Sequence, residues 1–208
     1  MKRFATLALM TFLLAQCAVR YKPIEPEKME YDQVFENDDI RLAYRYDALD
    51  YRGNHKLAKI EKKKGVRIVA AAITNKTTRV LNIDRDMDLF TDAEDPYYMD
   101  GSTAATRLQQ RTKTYLFYGL LLYAKFDCES LGLNCTPSYI VPFGIPIAAF
   151  NMLRAHKANK EMMKEFEKHS VFTRDIGPGQ TVYAILALEF EGTETLPLQI
   201  SIRENSKM

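Results

Sequence analysis

The chain has 208 residues, of which 47% are hydrophobic and 27% charged, the balance of an ordinary globular protein. Its formal net charge is +2, and removing residues 1–16 with Lys2 and Arg3 would leave 27 basic and 27 acidic side chains. A neutral chain has no overall basic field, so the composition argues against a protein that binds nucleic acid through its global charge.

The first seventeen residues have the layout of a secretion signal. Lys2 and Arg3 precede an apolar stretch over Phe4–Ala15, which suits a signal-peptide core and is short for a membrane span. The sequence LLAQC that ends at Cys17 resembles the lipobox of bacterial lipoproteins, although Gln16 stands where Gly, Ala or Ser is usual. The resemblance implies cleavage after residue 16 and acylation of Cys17. A plain secretory signal is the alternative.

The location of the protein follows from this resemblance. Acyl chains on Cys17 would anchor the chain to a membrane, so membrane lipid is an expected partner. Ala18 rather than Asp follows the cysteine, which implies attachment to the outer membrane of a bacterial envelope. Residues 17–38, with Pro23, Pro26 and little apolar periodicity, are predicted to be a lipidated tether.

Residues 39–208 contain repeated strand and turn patterns. Ile40–Tyr46 alternates apolar and polar residues and is predicted to be a half-buried strand. Val66–Ile73 is predicted to be a buried strand that forms a hairpin with Val80–Phe90. Thr181–Phe190 and Leu196–Ile202 predict two more strands. Strands separated by short turns favour an antiparallel sandwich.

Two segments carry a resemblance to a known fold. ITNKTTRVLNI and IGPGQTVYAILALEF resemble strand pairs of immunoglobulin-like domains in uncharacterised bacterial lipoproteins. The resemblance implies a fold and no activity. The predicted fold class is mainly β with an α insertion. An antiparallel immunoglobulin-like sandwich over 39–208 would be interrupted by an apolar, partly helical insertion at 101–170.

The predicted insertion holds two apolar runs, Tyr115–Ala124 and Tyr139–Phe150, followed by a helix over Asn151–His169 that Asn151 can cap. One side of this helix is apolar and is expected to face inward, with Met152, Ala155, Met162 and Phe166. Neither run spans a bilayer alone. Gly and Pro in the second run predict an irregular packed segment. Both runs must be covered by the sheet, a partner or the acyl boundary of a membrane. The candidate partner or membrane contacts are Tyr115, Phe117, Leu120, Phe143, Lys157, Lys160 and Lys164.

The remaining cysteines predict a disulfide. Cys128 and Cys135 lie seven residues apart in a chain that is predicted to be exported, where thiols are oxidised. A metal site is the alternative, but the neighbouring Asp127 and Glu129 are hard oxygen donors that match a thiolate pair poorly. The pairing leaves Cys17 as the odd cysteine, in agreement with its acylation.

The sequence contains no recognised catalytic signature and predicts no catalytic residue, metal site or cofactor. His156 and His169 lack the spacing of a helical zinc pair, and no phosphate-binding loop or nucleophile elbow occurs. Asp84, Asp86 and Asp88 resemble the start of a calcium loop, but strand alternation with outward aspartates also explains them.

The function predicted from these features is that of a membrane-anchored envelope lipoprotein. It would act as a non-catalytic binding or scaffold module that presents residues 101–170 to another envelope protein. The alternative is an envelope enzyme or small-ligand carrier with a pocket between sandwich and insertion. That pocket would need two or more convergent groups among Asp84, Asp86, His156, Glu161 and His169.

Overall fold

A computed structural model describes residues 18–91, 97–117, 124–126, 139–141, 144–170, 174–189 and 197–203. The chain forms two compact units. Unit 1 comprises Met1–Arg20 and Gln110–Ala158, and unit 2 comprises Tyr21–Gln109 and Asn159–Met208. The predicted insertion at 101–170 overlaps the second segment of unit 1 and extends beyond it at both ends.

The described secondary structure mixes helices with strands. In chain order the strands are β1 (Gln33–Glu36), β2 (Ile40–Arg45), β3 (Val66–Asn75), β4 (Leu81–Asn82), β5 (Met87–Thr91), β6 (Tyr97–Met99), β7 (Ala124–Phe126), β8 (Tyr139–Val141), β9 (Asp175–Ile176), β10 (Thr181–Glu189) and β11 (Leu198–Ile202). The α-helices are α1 (Ala48–Tyr51), α2 (His55–Lys63), α3 (Ile83–Asp86), α4 (Gly101–Leu108) and α5 (Gly144–Lys168). Short 3-10 helices cover Pro26–Lys28 and Thr112–Tyr115.

The largest sheet lies in unit 2 and is antiparallel throughout, with the strand order β1-β2-β3-β10-β6. β3 is its central strand, and Ala71 pairs with Tyr44 on one side and Ala184 on the other. Every residue of β3 except Thr74 is buried. A strand that is buried on both faces must have other elements packed on both sides of the sheet. This burial also accounts for the almost continuously apolar sequence of β3.

Different elements cover the two faces of this sheet. On one face, Leu42, Val69 and Leu186 belong to a core shared with residues of the pairs β5–β11 and β4–β9. Near the other face, α2 and the 3-10 helix Pro26–Lys28 contact β3. The predicted antiparallel β framework is therefore confirmed. The fold class is mixed α and β rather than mainly β, because several helices pack against the strands of this sheet.

The predicted hairpin between Val66–Ile73 and Val80–Phe90 is wrong. β3 pairs with β2 and β10, whereas β5 pairs with β11. The turn of helix α3 separates β4 from β5, and the Asn82 side chain accepts a hydrogen bond from the Arg85 N–H at its start. Asp86 turns inward, where its carboxylate accepts bonds from the Asn82 N–H and the Arg85 guanidinium. Strand alternation therefore fails at this aspartate.

The segment expected to be a tether, 17–38, belongs to the fold from residue 18 onward. It contains a 3-10 helix and β1, which is an edge strand paired with β2. Ile24 is fully buried, and Ala18, Tyr21 and Met29 are buried as well. The polar composition of this segment concealed a few apolar side chains that pack inward, so the expectation of a free linker is corrected for residues 18–36.

Helix α5 begins at Gly144, seven residues before the predicted start at Asn151. Pro146 is its third residue and is tolerated because the first turn of a helix has no intrahelical partners for its N–H groups. Of the predicted inward stripe, Ala155, Met162 and Phe166 are buried and Met152 is half-buried. The predicted irregular segment is therefore partly helical, and Asn151 lies inside the helix rather than at its cap.

Helix α4 makes a backbone contact with α5 that predicts a sensitive position. A Cβ atom on Gly101 would lie 2.6 Å from the Phe166 carbonyl oxygen, which is backbone and cannot rotate away. We expect Gly101→Ala to lower the free energy of unfolding by about 1–3 kcal/mol, as overpacking does. Thermal unfolding followed by circular dichroism measures this change.

The matched control is Gly177→Ala, because the nearest atom to its new Cβ is the Gln180 side-chain oxygen at 3.3 Å. This side chain can move, so a small change is expected. Equal melting temperatures for the two variants would contradict the close approach of α4 and α5.

Candidate functional site

Two buried amide side chains of unit 1 hold the start of the described chain. The Ala18 N–H donates to Asn151 Oδ1 at 2.9 Å, and Asn151 Nδ2 donates to the Ile147 carbonyl oxygen. Gln110 accepts from the Val19 N–H at 3.1 Å and donates to the Val19 carbonyl at 2.9 Å. The backbone beside Cys17 is thus fastened to α5 and to Gln110 instead of leading into a loose tether.

A small apolar core supports this attachment. Ala18, Tyr115 and Ala155 are buried together, with Met152 packed against them. Tyr115 is only 5% exposed. Tyr115, which was predicted as a partner or membrane contact, therefore packs against Ala18 and Ala155 inside unit 1.

Unit 1 also presents a set of large apolar side chains to solvent, which we call the apolar surface. Its members are 42% to 71% exposed. They are Leu116, Phe117, Ile145, Ile147, Phe150 and Leu153. Residues 144–153 of α5 are apolar except for Asn151, yet only one side of the helix is buried. Apolar residues around a whole helix are typical of one that is covered on every side.

The described part of unit 1 is also strongly basic. It contains six Lys or Arg residues and no Asp or Glu. The six are Arg20, Arg111, Lys113, Lys125, Arg154 and Lys157. The Arg154 guanidinium lies 6.0 Å from the centre of the Phe150 ring, at the edge of cation–π range. Positive charge and exposed apolar side chains therefore belong to the same unit.

The structure places the other predicted contacts as follows. Phe117 is exposed, and Lys157, Lys160 and Lys164 are exposed on α5. Leu120 and Phe143 lie outside the described residues, as do all three cysteines, Cys17, Cys128 and Cys135. Acylation and the disulfide therefore stay predictions.

The sequence reasoning missed Ile145, Phe150 and Leu153. The Gly and Pro residues around them predicted an irregular segment, which hid their helical spacing. The signal that could have found them is the change along α5 from an apolar first half to a highly charged second half.

Unit 2 holds the next residues of the chain through a second set of contacts. The Glu165 carboxylate accepts hydrogen bonds from the Tyr21 hydroxyl at 2.5 Å, the Ile24 N–H at 3.1 Å and the Glu25 N–H at 2.8 Å. Burial, reinforced by the Glu165 charge, raises the pKa of Tyr21 above its ordinary value. The hydroxyl therefore remains a donor to this carboxylate over the physiological range.

A buried carboxyl lies on the helical side of unit 2. Glu61 is fully buried, and its Oε1 accepts from the Ile68 N–H at 2.6 Å. Among the described residues, its Oε2 has no hydrogen-bond partner. Burial is the main cause that raises the pKa of Glu61 to about 8, and the negative charge of Asp47 adds to it. This group can gain or lose a proton close to neutral pH.

Three of the groups that were named for a possible catalytic pocket lie in different environments. His156 is exposed in unit 1, and Asp86 is ion-paired with Arg85. His169 is buried, with Nε2 3.7 Å from Glu27 Oε1. Over the described ranges, no group of three His, Cys, Asp or Glu side chains could hold a metal ion.

No protein-family model, curated protein or solved structure matches this chain. Within the part of the chain that the structure describes, none of the helices has both the length and the apolar character required to cross a bilayer.

Proposed function

We propose that this chain is a membrane-anchored lipoprotein of the bacterial envelope that acts as a binding or scaffold module for another envelope component. The observation that carries the proposal is the apolar surface of unit 1, which shares that unit with the residue following Cys17. An exposed apolar surface is a mark of a contact site. The lipobox resemblance supplies the anchor, and the outer membrane remains the predicted location.

The hydrogen bonds that hold Ala18 and Val19 support a fixed orientation of this surface relative to the anchor. A protein on a long tether would turn freely, whereas Asn151 and Gln110 hold the backbone next to the anchor. An immunoglobulin-like relationship for unit 2 stays a proposal. The antiparallel sheet and the strand pairs packed on it support that proposal.

The anchor is tested by the intact mass of protein extracted from membranes. We expect a chain that begins at Cys17 and carries fatty acyl groups, together with the loss of two hydrogens for a Cys128–Cys135 disulfide. Cys17→Ser should abolish the added lipid mass and move the protein out of the membrane fraction. Cys128→Ser is the matched control and should keep the lipid. A native chain that begins at Met1 without lipid would overturn the proposal.

A further inference from the structure

We infer that the apolar surface of unit 1 lies directly on an anionic phospholipid bilayer, with Phe117, Phe150 and Leu153 at the boundary between headgroups and acyl chains. This inference relies on the proposed function for the anchor and deepens it by naming the lipid bilayer as the envelope component that the apolar surface binds. The surface itself consists only of described residues. According to this inference, the apolar surface binds the membrane rather than a protein.

The first argument is where the chain enters unit 1. Ala18 is buried and is hydrogen-bonded to Asn151, the helix residue directly after Phe150. One peptide bond separates Ala18 from Cys17, so a lipid on that cysteine would be attached about 4 Å along the chain from this fixed point. An acyl anchor there would bring α5 to the bilayer surface.

The second argument is the composition of the exposed helix. From Ile145 to Leu153, the outward side chains of α5 are apolar, and two of them, Phe150 and Leu153, are 61% and 71% exposed. Interfacial helices bury such side chains by about 5–10 Å into the boundary between headgroups and acyl chains. The helix is too polar beyond this point to cross the bilayer, since Arg154 and Lys157 follow. It is therefore suited to lie on a membrane.

The third argument is charge. The described residues of unit 1 include six Lys or Arg and no Asp or Glu, although the chain without residues 1–16 is neutral. Anionic headgroups attract basic residues near the surface, and the attraction adds to apolar insertion. Apolar insertion and electrostatic attraction would add to the attachment that the acyl anchor provides.

Tryptophan fluorescence can test this contact because the chain contains no Trp. Phe150→Trp and, separately, Leu153→Trp each introduce one reporter at an exposed site. The acylated full chain is reconstituted into phosphatidylethanolamine vesicles containing phosphatidylglycerol, with and without brominated acyl chains. We expect a blue-shifted emission and at least about twofold quenching by brominated lipid at both positions.

Tyr97→Trp is the matched control, since Tyr97 is 68% exposed and belongs to unit 2. Its emission should stay red and unquenched. Replacing phosphatidylglycerol by phosphatidylcholine should weaken quenching at Leu153→Trp. Circular dichroism checks that each variant keeps the wild-type fold.

The intact mass of the same samples separates this inference from the proposed function. If the chain is acylated and vesicle-bound but the reporters of Phe150→Trp and Leu153→Trp stay unquenched, the inference is overturned and the lipoprotein proposal stands. Quenching in a chain whose mass shows no acyl group would support the membrane contact of the apolar surface and overturn the proposal of a lipid anchor. A blue shift without quenching, seen only in vesicles that retain native membrane proteins, would assign the surface to a protein partner and overturn the inference.

Discussion

Glu165→Gln should lower the free energy of unfolding of unit 2 by about 2–4 kcal/mol, because hydrogen bonds to a charged acceptor are strong and buried donors are costly to leave unpaired. The carboxylate accepts from the Tyr21 hydroxyl and from the backbone N–H groups of Ile24 and Glu25. A Gln side chain has one acceptor oxygen, so its NH₂ group must face at least one of these donors.

The measurement is thermal or urea unfolding, combined with hydrogen exchange of the Ile24 and Glu25 amides. A chain of this size should lose roughly 5–15 °C in Tm for such a change. Glu167→Gln is the matched control, since Glu167 is exposed on the same helix, and it should stay within about 0.5 kcal/mol of wild type. Unchanged exchange of both amides in Glu165→Gln would show that other contacts hold this segment.

We expect the stability of the wild-type protein to depend on pH between pH 4.5 and about 8, and Glu61→Gln should remove this dependence. Burial raises the pKa of Glu61 from 4.5 to about 8 in the folded chain. In this window the folded state binds a proton that the unfolded state has released, so the free energy of unfolding falls as pH rises. The stabilising contribution is complete below pH 4.5 and is lost as the pH passes through about 8.

The slope approaches about 1.4 kcal/mol per pH unit in the middle of the window, which makes this a large effect. Urea unfolding of both proteins from pH 4 to 9 measures it. The Gln variant should become the more stable of the two as pH rises, and Glu30→Gln, a change at an exposed site, should keep the wild-type profile. Parallel profiles for wild type and Glu61→Gln would mean that Glu61 ionises normally.

Local periodicity predicted several elements correctly. The alternation at Ile40, Leu42 and Tyr44 follows the buried face of β2, and Leu198 and Ile200 do the same for β11. The stripe of Ala155, Met162 and Phe166 on α5 was equally visible. In each case neighbouring residues carry the information, because the periods of strands and helices decide which side chains share a face.

Local periodicity could not predict which strands pair, or which distant side chains bind a given segment. Ala71 pairs with Ala184, and Met87 pairs with Ile202, across more than a hundred residues. The sequence favoured the adjacent strand as partner, which is the usual choice for a hairpin, and here it was wrong. The segment after Cys17 was predicted to be a tether because nothing within it reveals that Asn151 and Glu165 bind it.

The sequence by itself determined the strand patterns and the inward stripe of the long helix, whereas the export signal stays a prediction. Only the tertiary structure decided which strands are neighbours, which apolar residues of α5 stay exposed, and that Ala18 is hydrogen-bonded to Asn151 of the same helix. The physical reason is that alternation and helical spacing are properties of short segments. Burial and hydrogen bonding to a distant side chain depend on what the rest of the chain brings to the same place.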